Sequence, residues 1–258
     1  MANKIKSKII LVFVEGTTDA DCLDPIIDYY KKQLHLTEVD IRVHDGDMFT
    51  SDDNIRKDGH TILKEQVESY LTKYSKLAPK DILHAAFITD TDGIFINPMN
   101  YIINPSVENF TYDLENRQIV CQSDNRKKSL NKSRQTKASK LAKVIKSLET
   151  SVLTINRIAI PYSVYFNSLN LEHILFDEIL PDSQKTSSLD ELLDSIDDDP
   201  EQLIKIFNEK AINIDYLGSW EDIKSLEMNQ GYTNLNLLFE LISNSKSEKG
   251  AEQKLASE

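Results

Sequence analysis

Two short acidic motifs could do chemistry in this chain. Glu15 comes directly after the apolar run Ile9-Ile10-Leu11-Val12-Phe13-Val14, and Asp90-Thr91-Asp92-Gly93 after His84-Ala85-Ala86-Phe87-Ile88-Thr89. A buried parallel strand delivers the residues after it to the carboxyl edge of a sheet, where α/β folds place their ligands. Three carboxylates gathered there would suit a hard divalent cation such as Mg²⁺ or Mn²⁺. Asp90 and Asp92, two apart on an extended chain, point to the same side and can share an ion while Gly93 frees the backbone to turn. Asp-x-Asp-Gly by itself also fits an ordinary strand-to-loop turn. Its pairing with Val14-Glu15-Gly16 at a second strand end carries the cation reading.

The elements that must position these acids alternate. After the first strand, Thr17 to Leu36 places Leu23, Ile26, Ile27 and Tyr30 at helical spacing. Val39, Ile41 and Val43 then alternate as a strand ending in Asp45-Gly46-Asp47, and Ile62, Val67, Tyr70, Leu71 and Tyr74 mark a second helix before the strand of Asp90. This β-α-β-α-β order predicts a parallel sheet with right-handed crossovers. Residues 97–135, with Asn-Pro twice, read as an inserted loop or small hairpin with a strand at Arg117 to Gln122. Helical periodicity returns with Leu141, Val144, Ile145 and Leu148. Ile155 to Ile160 reads as a fourth strand ended by Pro161, and Asn170 to Leu180 as a helix. The expected fold is therefore α/β, with a four-stranded, mainly parallel sheet flanked by helices. Residues 1–180 form the main domain, 181–243 an acidic helical appendage and 244–258 a flexible tail. In the appendage, Ser188 with Glu191 and Ser219 with Asp222 have capping-box spacing, and Asp199-Pro200 reads as a cap and then a first-turn proline.

With 258 residues, 40% of them hydrophobic and 28% charged, the chain can bury a full core. Two cysteines, Cys22 and Cys121, are too few for a structural zinc site or a disulfide framework. The apolar run after Met1 is too short to span a bilayer or serve as a signal-peptide core, so the expected compartment is the cytoplasm, with no membrane partner. Charge is unevenly placed. Between Arg117 and Lys146 ten basic residues meet the single acid Asp124, a net of +9 that leaves −21 for the rest of a chain whose total is −12. One basic segment in an acidic protein is what a polyanion contact looks like, and Arg126, Lys127, Lys128, Lys132, Arg134, Lys137 and Lys140 are the candidate nucleic-acid-binding residues. A solvated helix face is the alternative for the same run.

Val14-Glu15-Gly16-Thr17-Thr18-Asp19, joined after two helices and one strand by Thr89-Asp90-Thr91-Asp92-Gly93, resembles the Toprim domain of topoisomerases, DnaG-type primases and OLD-family nucleases. The resemblance covers roughly residues 7–180 and implies a Rossmann-like Toprim fold. It makes Glu15 the Toprim glutamate, either general base or ligand, and Asp90 and Asp92 the metal-binding aspartates. In the OLD-like branch a second acid one helical turn after the glutamate also binds metal, and Asp19 stands there; first-turn dipole stabilisation is its other reading. The stretch Asn167-Ser168-Leu169-Asn170-Leu171-Glu172-His173 is similar to phage-defence Toprim proteins of the RloB, AbiL and AriB types, which makes Glu172 a fifth metal-ligand candidate beside a plain Asn170 helix cap.

The resemblance implies a Mg²⁺-dependent nuclease acting on DNA or RNA, an effector of anti-phage defence that could work beside an ATPase sensor subunit or as a homo-oligomer. The chain lacks a Gly-x-x-x-x-Gly-Lys-Ser/Thr string, so it should not hydrolyse ATP through a P-loop. Two alternatives stay open. Phe87 to Gly93 also resembles the opening motif of HAD-type phosphatases, with Asp90 as nucleophile and Asp92 as acid/base, which leaves Glu15 without a role. A Toprim-fold protein-binding module without catalysis is the other.

Overall fold

The computed structural model describes residues 9–34, 38–44, 46–196 and 199–245, so Asp45 and the expected tail from residue 246 onward lie outside it. The elements of the first hundred residues match the sequence pattern closely. They are β1 (Ile9–Val14), α1 (Thr17–Leu34), β2 (Glu38–Val43), α2 (Gly59–Lys73) and β3 (Ile82–Asp90). Each of the six β1 residues is buried, which requires cover on both faces of the strand. Cys22, Leu23, Ile26 and Ile27 of α1 and Ile62, Leu63 and Val67 of α2 share one apolar core with it. Phe13 and Phe87, paired in register, stack with ring centroids 4.9 Å apart across β1 and β3.

The sheet is larger and more mixed than expected. Two further strands are β7 (Val152–Ile155) and β8 (Ile158–Ser168), and the order is β2-β1-β3-β8-β7, with β9 (Tyr232–Thr233) added on β8 to make six strands. β1 pairs in parallel with β2 and β3, and β3 with β8; β7 and β9 run antiparallel to β8. The expected fourth strand, stopped at Pro161, is instead a hairpin whose second strand runs through the proline. Pro161 faces Val152 of β7, and pairing with β3 begins one residue later at Tyr162, so the missing N–H falls where β8 has only one neighbour.

The expected loop 97–135 also has more structure. It holds a second, three-stranded sheet of β4 (Tyr101–Ile103), β5 (Phe110–Asp113) and β6 (Gln118–Cys121), ordered β4-β6-β5. The long helix α3 (Asp124–Val144) then starts well before the expected loop ends, with the Ser123 side chain accepting from the Arg126 amide. Helix α4 (Leu171–Phe176) is capped by Asn170 as expected but stops at Asp177, which takes a left-handed conformation (φ 55°), short of the expected end at Leu180.

The C-terminal helices are α5 (Asp182–Ser195), α6 (Pro200–Glu209), α7 (Tyr216–Leu226) and α8 (Leu235–Asn244). Asp199 caps α6 as expected. The two serine capping boxes do not form, because Ser188 and Ser219 lie inside α5 and α7, whose caps are Pro181 and Asp215. These helices are continuous with the main core: Leu203, Phe207, Trp220 and Leu238 belong to the apolar cluster of β1 and β3, and the Phe166 ring meets Trp220 at 4.7 Å. Both cysteines are buried free thiols. No helix among the described residues is long and apolar enough to cross a membrane.

Candidate metal centre

Parallel strands that end together bring both acidic motifs to one edge. All five acids expected from the sequence, Glu15, Asp19, Asp90, Asp92 and Glu172, line a single cavity of about 220 Å³, and Asp47 joins them. Asp47 arrives from the loop after β2, the neighbour of β1, and its carboxylate accepts from the Phe49 and Thr50 amides at 2.8 Å. The sequence pattern ends the second strand at Asp45-Gly46-Asp47 and assigns Asp47 no role. The signal resembles the one that selects Glu15, an acid beside a glycine just past a strand, although β2 is only partly buried.

Glu15 ties the two motifs together. Its Oε1 accepts from the Met48 amide and the Thr89 hydroxyl, each at 2.9 Å, and its Oε2 accepts from the Asp90 amide at 3.1 Å and from Lys137 Nζ at 3.4 Å. Four donors fill the roughly four acceptor sites a carboxylate offers. One oxygen from each of Glu15, Asp47 and Asp92 lies within 4.8 Å of the others, the spacing of a cation site, and the cation among them is Lys137. Its Nζ stands 2.8 Å from Asp47 and 3.0 Å from Asp92.

The Asp-x-Asp pair is not simply two strand residues facing one way. β3 ends at Asp90; Asp92 (φ 55°) and Gly93 (φ 79°) are both left-handed, so the chain turns before Asp92 is placed. Asp92 joins Glu15 and Asp47 around Lys137. Among the described residues no hydrogen bond or ion pair reaches the Asp90 carboxylate, and Asp19 is its strongest charged neighbour. The turn is held from the C-terminal region. Glu227, buried beyond α7, accepts from the Gly93 amide at 3.0 Å and the Phe95 amide at 2.8 Å, while the Arg117 guanidinium holds the Ser225 and Glu227 carbonyls. Sequence reasoning missed Glu227, an acid 134 residues from its partner with no motif around it.

The basic segment divides in two. Lys128 and Lys132 are exposed, and Arg126 and Lys127 half-buried, Lys127 donating to the Tyr101 carbonyl. Arg134, Lys137 and Lys140 are buried at 5%, 1% and 7% exposure. For these three the expected polyanion-binding surface is corrected. They face inward because residues 130, 134, 137, 140, 141 and 144 form the buried face of α3, with three cations among the apolar positions. Arg134 donates to the Asp92 carbonyl and the Tyr112 hydroxyl, and Lys140 Nζ donates to the carbonyls of Phe49, Asn54 and Ile55.

Like charges in a buried cavity hold protons. Burial raises Glu15 to about 7 against the pull of Lys137, and burial with Glu172 nearby raises Asp19 to about 7. Burial and then Asp19 push Asp90 up as well. Asp47 goes the other way: burial would raise it, but Lys137 and the two amides hold it below the usual range. For Glu15 and Asp19 the folded protein binds protons more tightly than the unfolded chain, whose values are the ordinary 4.5 and 3.8. Their stabilising contribution is complete below about 4 and is lost as pH rises through about 7. The melting temperature of the metal-free protein should therefore fall across that window. A metal-free melting profile that is flat across the window would contradict this protonation of the cavity.

In comparisons with protein-family models, curated proteins and solved structures, no match to this chain was found.

Proposed function

We propose that this chain is a metal-dependent nuclease of Toprim type that hydrolyses phosphodiester bonds of DNA or RNA, using Mg²⁺ or Mn²⁺. The observation that carries the reading is the convergence of five acids, chosen from two motifs and one helix start, on one cavity at the carboxyl edge of a mainly parallel sheet. The donor set is entirely carboxylate oxygen, which fits a hard cation and no softer metal. Asp19, Asp90 and Glu172 would hold the ion. Bound there, it would polarise a phosphodiester oxygen and make a nucleophile of water at neutral pH. Glu15, with its acceptor sites filled, orients Lys137, the Thr89 hydroxyl and the Asp90 amide. This placement gives Glu15 a role that the phosphatase reading lacks.

The polynucleotide contact falls to cations that the fold leaves outside. Arg126 stacks over Phe110 at 4.9 Å and lines a second cavity whose wall is Asp47, Asp92 and Lys137. Further along α3, Lys132 and Lys143 face Arg56 and Lys57 across a groove. Anti-phage defence, with an ATPase subunit as sensor, is the biological setting the Toprim resemblance supports.

Incubating the protein with single-stranded and duplex DNA, RNA and a small phosphate monoester, with Mg²⁺, with Mn²⁺ and with chelator, tests the reading. Metal-dependent cutting of a polynucleotide is expected, with the monoester untouched; release of phosphate from the monoester alone would favour the phosphatase. Replacing Arg126, Lys132 and Lys143 together by Ala should weaken polynucleotide binding about tenfold or more and lower the slope of affinity against salt by up to about three. An unchanged slope would return these residues to a solvated surface.

A further inference from the structure

The cavity next to the acids has walls of a different kind. It encloses about 180 Å³ and shares Asp47 and Asp92 with the acidic cavity, so its contents lie beside whatever that cavity holds. The other walls come from β5 and α3, with Phe110 on one side and Arg126, Leu130 and Ser133 on the other. Phe110 and Tyr112, two apart on β5, point the same way. Their rings meet edge-on at 5.6 Å, and the guanidinium groups of Arg126 and Arg134 lie 4.9 and 5.3 Å from the Phe110 centroid. The Tyr112 hydroxyl donates to the Asp92 carbonyl at 3.1 Å, which fixes this aromatic wall against the Asp92 turn.

The cations behind these walls are already committed. Lys137 has three N–H donors and spends them on Glu15, Asp47 and Asp92. Arg134 is engaged by the Asp92 carbonyl and the Tyr112 hydroxyl. What remains is flat and mixed: a guanidinium stacked on a ring, an aliphatic side chain, a hydroxyl and carboxylate oxygen. Lys137 binds Asp92 through Oδ2, and Oδ1 accepts no hydrogen bond among the described residues. Arg126 Nε is buried and has no hydrogen-bond partner among them either. A buried unpaired donor is costly unless a ligand or water meets it. A phosphate in this cavity would face the carboxylates of Asp47 and Asp92. An uncharged heterocycle avoids that repulsion, stacks on the flat side chains, gives an N–H to Asp92 and accepts from Arg126.

We infer that this cavity receives one unpaired nucleobase, that of a nucleotide flanking the bond to be cut. The inference rests on the nuclease reading proposed for the chain and narrows its substrate to single strands, loops and splayed-out nucleotides. A base inside a duplex is stacked on both faces and paired along its edge, so it enters such a slot only when flipped out. Arg126 is then a base-binding residue. Its planar group stacks and donates at once, which the point charge of a lysine does not do.

End-labelled oligonucleotides of mixed sequence, made as DNA and as RNA and incubated with the full chain and Mg²⁺ or Mn²⁺, test the slot. Single strands should be cut at least about tenfold faster than the same sequence in a duplex. One abasic position, moved along the strand, should slow cutting at the adjacent bond by about tenfold and leave distant bonds unchanged, because one stacked base contributes roughly that factor. In Arg126→Lys, which keeps the charge and loses the planar stack, intact and abasic strands should be cut within about threefold of each other. A duplex cut as fast as the single strand, an abasic strand cut like the intact one by the unaltered chain, or an abasic penalty undiminished in Arg126→Lys would overturn the base slot and leave the nuclease in place. No metal-dependent cutting of any polynucleotide would overturn the nuclease reading and this inference with it. The duplex and abasic comparisons use the unaltered chain, so the test stands even if Arg126→Lys does not fold.

Discussion

Asp90→Asn should lower metal-dependent cleavage by on the order of 10³-fold and, in the same protein, raise the metal-free melting temperature at pH 8 by about 2–5 °C. The two effects share one cause. Asp90 ends β3 at the cavity, is raised by burial and by Asp19, Asp92 and Glu15 around it against the pull of Lys137, and has no hydrogen-bond donor on its carboxylate among the described residues. In the absence of an ion the carboxylate is a cost to the fold at alkaline pH, and a neutral amide of the same shape relieves it. In the presence of an ion the amide offers one weak oxygen in place of a charge. Activity and stability moving in opposite directions separate this residue from one that merely supports the fold, since a structural aspartate would lose both. A variant with undiminished cleavage, or one less stable than the parent without metal, would remove Asp90 from the centre.

The legible part of the site came from strong local signals. β1, α1, β2, α2 and β3 were readable because an apolar run, a two-residue alternation or a 3.6-residue stripe is unbroken in each, and a buried strand end announces where its next residue goes. Pattern failed where tertiary context decides. A count of basic residues assumes that charge faces water, but Arg134 and Lys137 sit in the apolar positions of α3 because carboxylates and carbonyls wait for them. Residue spacing within the helix held that information: cations at 134 and 137 interrupt the stripe of Leu130, Leu141 and Val144. Pro161 stops a strand only where both neighbours need its N–H, and β8 has one neighbour at that point. Serines 188 and 219 have capping spacing, yet a cap forms only where a helix starts, and here Pro181 and Asp215 set the starts. Glu227 could not have been found by pattern at all, because its partners are backbone amides of Gly93 and Phe95.

The same distant support makes Gly231 the most sensitive small residue near the centre. A Cβ placed on it would lie 2.0 Å from the His173 carbonyl oxygen, 2.6 Å from its carbon and 2.8 Å from the Ile174 Cα. All three are backbone atoms of α4, so no side-chain rotation can relieve the overlap. Either α4 moves away or β9, which starts at the next residue and pairs with Asn167 and Ser168, leaves the sheet. Gly231→Ala is therefore expected to destabilise the protein by about 3–5 kcal/mol, beyond the usual range for overpacking because the obstacle is main chain. It should lower the melting temperature by roughly 6–15 °C. Glu172 and His173 ride on the displaced helix, so Mn²⁺ affinity should fall together with stability although residue 231 is not itself a candidate ligand. Thermal unfolding with and without Mn²⁺ reads both quantities. A melting temperature within about 2 °C of the parent would mean that the contact between β9 and α4 opens at little cost, and the positioning of Glu172 would then have to come from Asn170 and Lys185 alone.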